Sequence, residues 1–183
     1  MSQDELADEV DLLDPVTSTD HLIGNPDARI TLLEYGDYEC PDCFNAVPVI
    51  AALRGRLGDA LRVAFRHFPQ NSVHPRASAA AAAAEAAGNQ QRFWEMHEVL
   101  FRHQKELADL DLSHLALRVG LEIYRFQRDV ETEAVIRRIQ SDHASGGRSG
   151  VTGTPTFFVN GWRYRGKVEI QAMVEAVKAG RMK

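Results

Sequence analysis

Hydrophobic positions recur along this chain in two rhythms. Ala28 to Tyr35 is a mostly apolar run stopped at Gly36-Asp37, and Leu61 to Phe68 is a second; both suit buried strands. Between them Phe44, Val47, Ile50, Leu53 and Leu57 keep helical spacing, which predicts a helix opened by Pro41, kinked by Pro48 and ended near Gly58. Strand, helix, strand at this length implies a right-handed parallel βαβ unit. His21-Leu22-Ile23 reads as a short strand ahead of it, set off by Gly24-Asn25-Pro26-Asp27.

From about residue 75 to 146 the rhythm is helical. Pro75 and the tract Ala79 to Ala84 open this stretch, Gly88 is a stop, and Phe93, Met96, His97 and Leu100 follow on one face. A third segment follows Asp111 and a fourth covers Val130 to about His143, before the glycine-rich Ser145 to Gly150. Thr156 to Val159 and Arg163 to Arg165 then flank Asn160-Gly161, a pair suited to a type I′ hairpin turn. Val168 to Ala179 is a closing amphipathic helix. The expectation is an α/β fold with a mixed sheet of four or five strands. Its core comes in two pieces, 20–74 and 148–183, around an inserted all-helical subdomain, 75–147. Residues 1–19 are expected to be a disordered acidic arm.

Composition narrows this further. A chain of 183 residues, 44% hydrophobic and 26% charged, suits one folded domain and excludes a disulfide-stapled mini-scaffold. No run approaches the roughly 18 apolar residues of a membrane-crossing helix. The net charge of -5 is local: the first 20 residues hold seven acids and no Lys or Arg, leaving about +2 for the rest. The arginines are scattered and form no basic stripe, which argues against nucleic-acid binding. Met1 to Leu13 lacks the parts of a secretory signal, so a cytoplasmic location is expected. In that compartment the two cysteines, Cys40 and Cys43, point to catalysis or metal binding rather than a structural bridge.

With Cys40 at the N-cap and Pro41 at the first helical position, the Cys40 sulfur faces the unpaired N–H groups and positive end of the helix, which favours thiolate. Cys43 lies nearly one turn on, within disulfide reach but more buried. Thiol–disulfide exchange needs this asymmetry: one sulfur attacks and forms a mixed disulfide, and its neighbour resolves it. The acids Asp37, Glu39 and Asp42 lie within three residues of Cys40, with no cation nearby in sequence. At ~0.8 kcal/mol each for exposed charges, they are expected to offset much of the helix benefit. A Cys40 pKa and potential near those of reducing thioredoxins follow from that expectation.

Four segments carry a resemblance: Glu34-Tyr-Gly-Asp-Tyr-Glu-Cys-Pro-Asp-Cys43, Arg66-His-Phe-Pro69, Phe93-Trp-Glu-Met-His97 and Gly153-Thr-Pro-Thr-Phe-Phe-Val-Asn-Gly161. Together they resemble the DsbA-like branch of the thioredoxin superfamily, from about Asp20 to the C-terminus. The resemblance implies a thioredoxin-like fold with a helical insertion and disulfide oxidoreductase activity without a dissociable cofactor. The implied substrates are protein or small-molecule thiols and disulfides, with a thiol redox partner. It also implies a cis Thr154–Pro155 bond that aligns substrate opposite the cysteines, with Pro41 and Asp42 tuning the site. Glu34 matches the position of a buried acid that moves the Cys43 proton through a water; on spacing alone it could equally be a solvated strand-end residue.

Other readings stand beside this one. Zinc held by the cysteines fits no finger-like spacing with His67 or His74. A glutathione-dependent isomerase or transferase usually keeps one Ser or Cys, and a non-catalytic peptide-binding module would survive loss of Cys40. His67 and His74 read as surface or capping residues, and His97, His103, His114 and His143 as packing or solvent-facing. Phe93, Trp94, Phe101, Tyr124 and Phe126 read as helix-packing anchors.

Overall fold

The computed structural model describes residues 11–107 and 111–179. Strand β1 (His21–Gly24) precedes β2 (Ile30–Gly36), α1 (Pro41–Leu57) and β3 (Leu61–His67). Five helices follow: α2 (Ala77–Gly88), α3 (Phe93–Arg102), α4 (Leu112–Arg118), α5 (Ile123–Asp129) and α6 (Glu133–Arg148). The chain closes with β4 (Thr156–Val159), β5 (Trp162–Tyr164) and α7 (Ile170–Ala179). The sheet order is β1-β3-β2-β4-β5; β2 and β3 run parallel across α1, and the other pairings are antiparallel. This is a thioredoxin-like α/β fold with a helical insertion between β3 and β4.

Alternation along the central strands sorts side chains to the two faces. Leu32 and Val63 pack with Leu53 of α1 and Met173 and Val177 of α7, while Leu33 and Ala64 pack on the opposite face with Phe68, Val151 and Phe158. The buried alanines of α2 let α3, α4 and α5 close around Phe93, Met96, Phe101 and Phe126. The hairpin has positive φ at both turn residues, 50° at Asn160 and 87° at Gly161, as a type I′ turn requires. The Asn160 carboxamide oxygen also accepts the Thr31 N–H at 2.8 Å, tying the turn to β2.

Three expectations need correction. The glycine-rich stretch is helical: α6 runs through Ser145-Gly146-Gly147 to Arg148. A Cβ on Gly146 would lie 2.8 Å from Phe68 Cδ2 and 3.0 Å from Tyr35 Cδ1, so glycine serves close packing on the sheet. A separate helix, α5, also stands where the periodicity gave none, capped by the Glu122 carboxylate accepting the Tyr124 and Arg125 N–H groups. Tyr124 itself is exposed and anchors nothing.

Third, residues 11–19 are not a free arm; residues 1–10 lie outside the described residues. Leu12 is only 4% exposed, beside Leu33 and Phe158, and its N–H donates to the Gly161 carbonyl at 2.9 Å. Arg66 donates to the Asp14 and Pro15 carbonyls, at 2.8 and 3.0 Å, while its other N–H groups hold Asp20 and the Tyr35 hydroxyl. Acids that read as a solvated run are thus partners for arginines distant in sequence. Among the described residues no helix is long and apolar enough to cross a membrane.

Candidate active site

Strand β2 ends at Gly36, where a Cβ would collide with the Phe65 ring at 2.4 Å, and the chain turns toward the mouth of α1. Cys40 is the extended N-cap (φ -71°, ψ 119°), and Pro41 takes the first helical position, where its missing N–H costs nothing. Both cysteines are free thiols. Cys43 is fully buried and Cys40 6% exposed, while Pro41, Asp42 and Phe44 around them are exposed.

The two sulfurs differ sharply in proton affinity. Cys40 is drawn down to about 5, chiefly by a hydrogen bond from the Cys43 thiol. Burial works against this, but Thr154 and the N–H groups of Cys43 and Asp42 add to it. Cys43 is pushed far above the ordinary thiol range by burial, by its bond to Cys40 and by the charges of Glu34 and Cys40. As a thiol, Cys40 donates to the Thr154 carbonyl at 3.1 Å, so the loop carrying the cis Thr154–Pro155 bond lies directly against the sulfur. The Thr154 hydroxyl oxygen is buried without a hydrogen-bond partner, leaving its proton free to turn toward a thiolate.

The expectation that nearby acids would offset thiolate formation is overturned, because two of the three are not free charges. Asp37 is buried; its carboxylate accepts from His74 Nδ1 at 2.8 Å, the Gln70 N–H at 2.9 Å and the Glu39 N–H at 2.8 Å. Glu39 accepts the Arg76 N–H at the approach to α2. Asp42 is the one fully exposed acid of the three, and screening by solvent weakens it. His74, read as a surface or capping residue, is therefore tied to the loop behind the cysteines. The Asp37 N–H points at Cys43 Sγ, 3.5 Å away.

Glu34 is 3% exposed on β2, and its Oε1 has no hydrogen-bond partner. Burial raises its pKa to about 8, with a further push from the Cys40 charge. The solvated strand-end alternative is thereby excluded.

Sequence reasoning missed one side chain that shapes this site. Gln104, in the 3₁₀ turn after α3, donates both Nε2 hydrogens to backbone carbonyls of the active-site loop, to Tyr38 at 2.8 Å and to Cys40 at 2.9 Å. No motif marks such a residue, since its partners are carbonyls. His67 is a second correction: it is fully buried at the end of β3 and bound to Glu85. His97, half-buried among Tyr38, Phe65, Trp94 and Phe101, is held down to about 3 by desolvation and by the nearby histidines. Packing, as the sequence reading had it, describes His97 well.

A family model described as thioredoxin matches residues 16–179. Among solved structures, the chain is similar to a thioredoxin-like oxidoreductase from Silicibacter pomeroyi DSS-3, at 27% identity and a TM-score of 0.76 over 89% of this chain and 92% of that one. It shares the fold of the thiol-disulfide exchange protein α-DsbA2 from Wolbachia pipientis, at 18% identity and a TM-score of 0.78 over 92% of this chain and 89% of that one. A curated relative from Mycolicibacterium gilvum, named Na(+)/H(+) antiporter NhaA 1, is 42% identical over 173 residues; these are 93% of this chain but 28% of that protein. The present chain thus corresponds to little more than a quarter of that relative. With a family match that runs from residue 16 to the last helix, and a helical insertion seated over a paired-cysteine helix, this chain belongs to the thioredoxin family.

Proposed function

We propose that this chain is a thiol–disulfide oxidoreductase acting on protein or small-thiol disulfides, with a Cys-Pro-Asp-Cys site and no dissociable cofactor. One observation carries the reading: two free thiols share one helix mouth, Cys40 at the N-cap with its sulfur 3.1 Å from the Thr154 carbonyl and Cys43 fully buried behind it, an arrangement that draws the Cys40 thiol down to about 5 and pushes Cys43 far up. At neutral pH Cys40 is then a thiolate. It attacks a substrate disulfide, forming the Cys40–substrate S–S bond while the substrate's own S–S bond breaks and one substrate sulfur leaves as thiolate. Cys43, deprotonated, next attacks Cys40 Sγ. The mixed disulfide breaks, the second substrate sulfur leaves with its electron pair, and Cys40–Cys43 remains as the disulfide. The reverse sequence oxidises a substrate dithiol.

Glu34 is the proposed acceptor of the Cys43 proton. Its pKa is raised partly by the Cys40 charge, and that charge disappears once Cys40 is in the mixed disulfide. Glu34 therefore becomes easier to ionise at the step that needs a base. Thr154 and Pro155 would align the substrate chain beside Cys40, with the Thr154 carbonyl 3.1 Å from the sulfur. The isomerase or transferase alternative leaves Cys43 without a task.

A stabilised thiolate favours the reduced enzyme, so the site should oxidise its partners more readily than thioredoxin. Two pKa units below the ~7 of thioredoxin convert to ~60 mV, which places the couple near -210 mV against about -270 mV. A glutathione redox titration tests this. A midpoint at or below that of thioredoxin contradicts it.

The relative's name supports one narrower proposal, that the thiols served belong to a membrane transporter, since a region similar to this chain is part of a longer protein named as an antiporter. Cys43→Ser, which leaves the mixed disulfide unresolved, should trap such a partner in the membrane fraction. Trapping only soluble proteins contradicts the narrower reading and leaves the chemistry standing.

A further inference from the structure

Away from the cysteines, three elements bring together a set of donors that the redox reading does not use. His21 lies on β1 opposite Phe65 of β3, and His67 is two residues further along β3, so both imidazoles stand diagonally on one face of the sheet. Helix α2 covers that face. Its alanine tract turns a single long polar side chain inward, Glu85. Glu85 Oε1 lies 2.7 Å from His21 Nε2 and 2.8 Å from His67 Nε2, and all three donor atoms fall within 4.8 Å of one another.

Phe93 stacks on the His21 ring with centroids 3.5 Å apart and planes 4° from parallel, and the His67 backbone N–H donates to Asp142 at 3.1 Å, pinning that end of β3. His67 and Glu85 are buried, whereas the His21 side chain stays 19% exposed and opens the cluster to water on one side. Gly88 flanks that opening: a Cβ there would come within 3.2 Å of His21 Cε1, the carbon next to Nε2.

We propose that His21, His67 and Glu85 form a binding site for a divalent transition-metal ion of the zinc class. Two imidazole nitrogens and one carboxylate oxygen are the donor set such ions accept, with a water completing the tetrahedron. At metal–ligand distances of ~2.0–2.1 Å tetrahedral donors stand ~3.3 Å apart, so the two carboxylate–imidazole contacts need to open by about half an ångström, while the two imidazole nitrogens, within 4.8 Å of each other, settle at the same spacing. The ion would take the place of the two hydrogen-bonding protons, each imidazole keeping its proton on Nδ1, and would join β1, β3 and α2. Its place is a clip between the sheet and the helical insertion.

The test uses the 183-residue chain carrying Cys40→Ser and Cys43→Ser, so that no thiol can ligate. Calorimetric titration with Zn²⁺ is expected to show one equivalent bound, with Co²⁺ giving the visible absorption of a tetrahedral site. His21→Gln, at the half-open ligand, and Glu85→Gln should each weaken binding at least tenfold, and His114→Gln, at an exposed histidine elsewhere, should leave it unchanged. If Glu85→Gln fails to fold, His21→Gln alone decides. Lack of binding at 100 µM Zn²⁺, or binding indifferent to His21→Gln, overturns the proposal.

Discussion

At Cys40 a short-range effect overrides a longer-range one. Hydrogen-bond donors touching the sulfur outweigh acids three residues away, because two of those acids are already paired with His74, with backbone N–H groups or with both. The alkylation rate of Cys40, followed against pH in the Cys43→Ala and wild-type proteins, should therefore show a wild-type midpoint near 5. Cys43→Ala should shift it upward, because it removes the Cys43 thiol, the largest stabilising contact. A wild-type midpoint near 8.5, the value of a free cysteine, contradicts the account.

Glu34 gives a second prediction with a definite sign. Its folded-state pKa, about 8, is above its ordinary 4.5, so its stability contribution is fully present below 4.5 and is lost as pH rises through 8. Glu34→Gln removes that loss. The variant should gain on the wild type between those limits with a slope approaching ~1.4 kcal/mol per pH unit, while resolution by Cys43 slows roughly tenfold or more at neutral pH. Denaturant melts at several pH values and single-turnover kinetics check both halves. Parallel stability curves would show that the carboxyl is solvated.

Elements are placed by contacts that no helical or strand period encodes. Gln104 reaches back to the mouth of α1 across 66 and 64 residues of sequence, joining the helical insertion to the cysteine loop. Gln104→Ala leaves two carbonyls short of a donor and should cost about 1–2 kcal/mol, with a several-fold loss of exchange rate that Gln104→Asn does not restore. Gly146→Ala separates two effects cleanly. Helix propensity alone predicts a gain of ~1 kcal/mol, whereas the Phe68 and Tyr35 rings within 3.0 Å of the new methyl predict a net loss of ~1–3 kcal/mol. A measured gain in melting temperature would mean that α6 stands off the sheet.

Over the whole molecule, the strands, α1, the hairpin and α7 were legible in the sequence because each is a local period with a Pro, Gly or Asn-Gly boundary. The cysteine pair was legible for the same reason. Partnerships such as Asp37 with His74, 37 residues apart, or Leu12 with the Gly161 carbonyl were not, since they depend on how the sheet is ordered. An acidic N-terminal run therefore read as free chain although residues 11–19 pack on the sheet. Leu12→Ala should reveal this through a loss of ~2–3 kcal/mol, whereas a dangling segment would lose nothing.

The division of labour between the two sulfurs is tested most directly by mass spectrometry after reaction with a model disulfide. Cys43→Ser should accumulate one stable mixed disulfide on Cys40, Cys40→Ser should form none, and the wild type should turn over to the Cys40–Cys43 disulfide. An adduct on Cys43 in the Cys40→Ser protein, or a wild type that stalls at the mixed disulfide, would contradict the account.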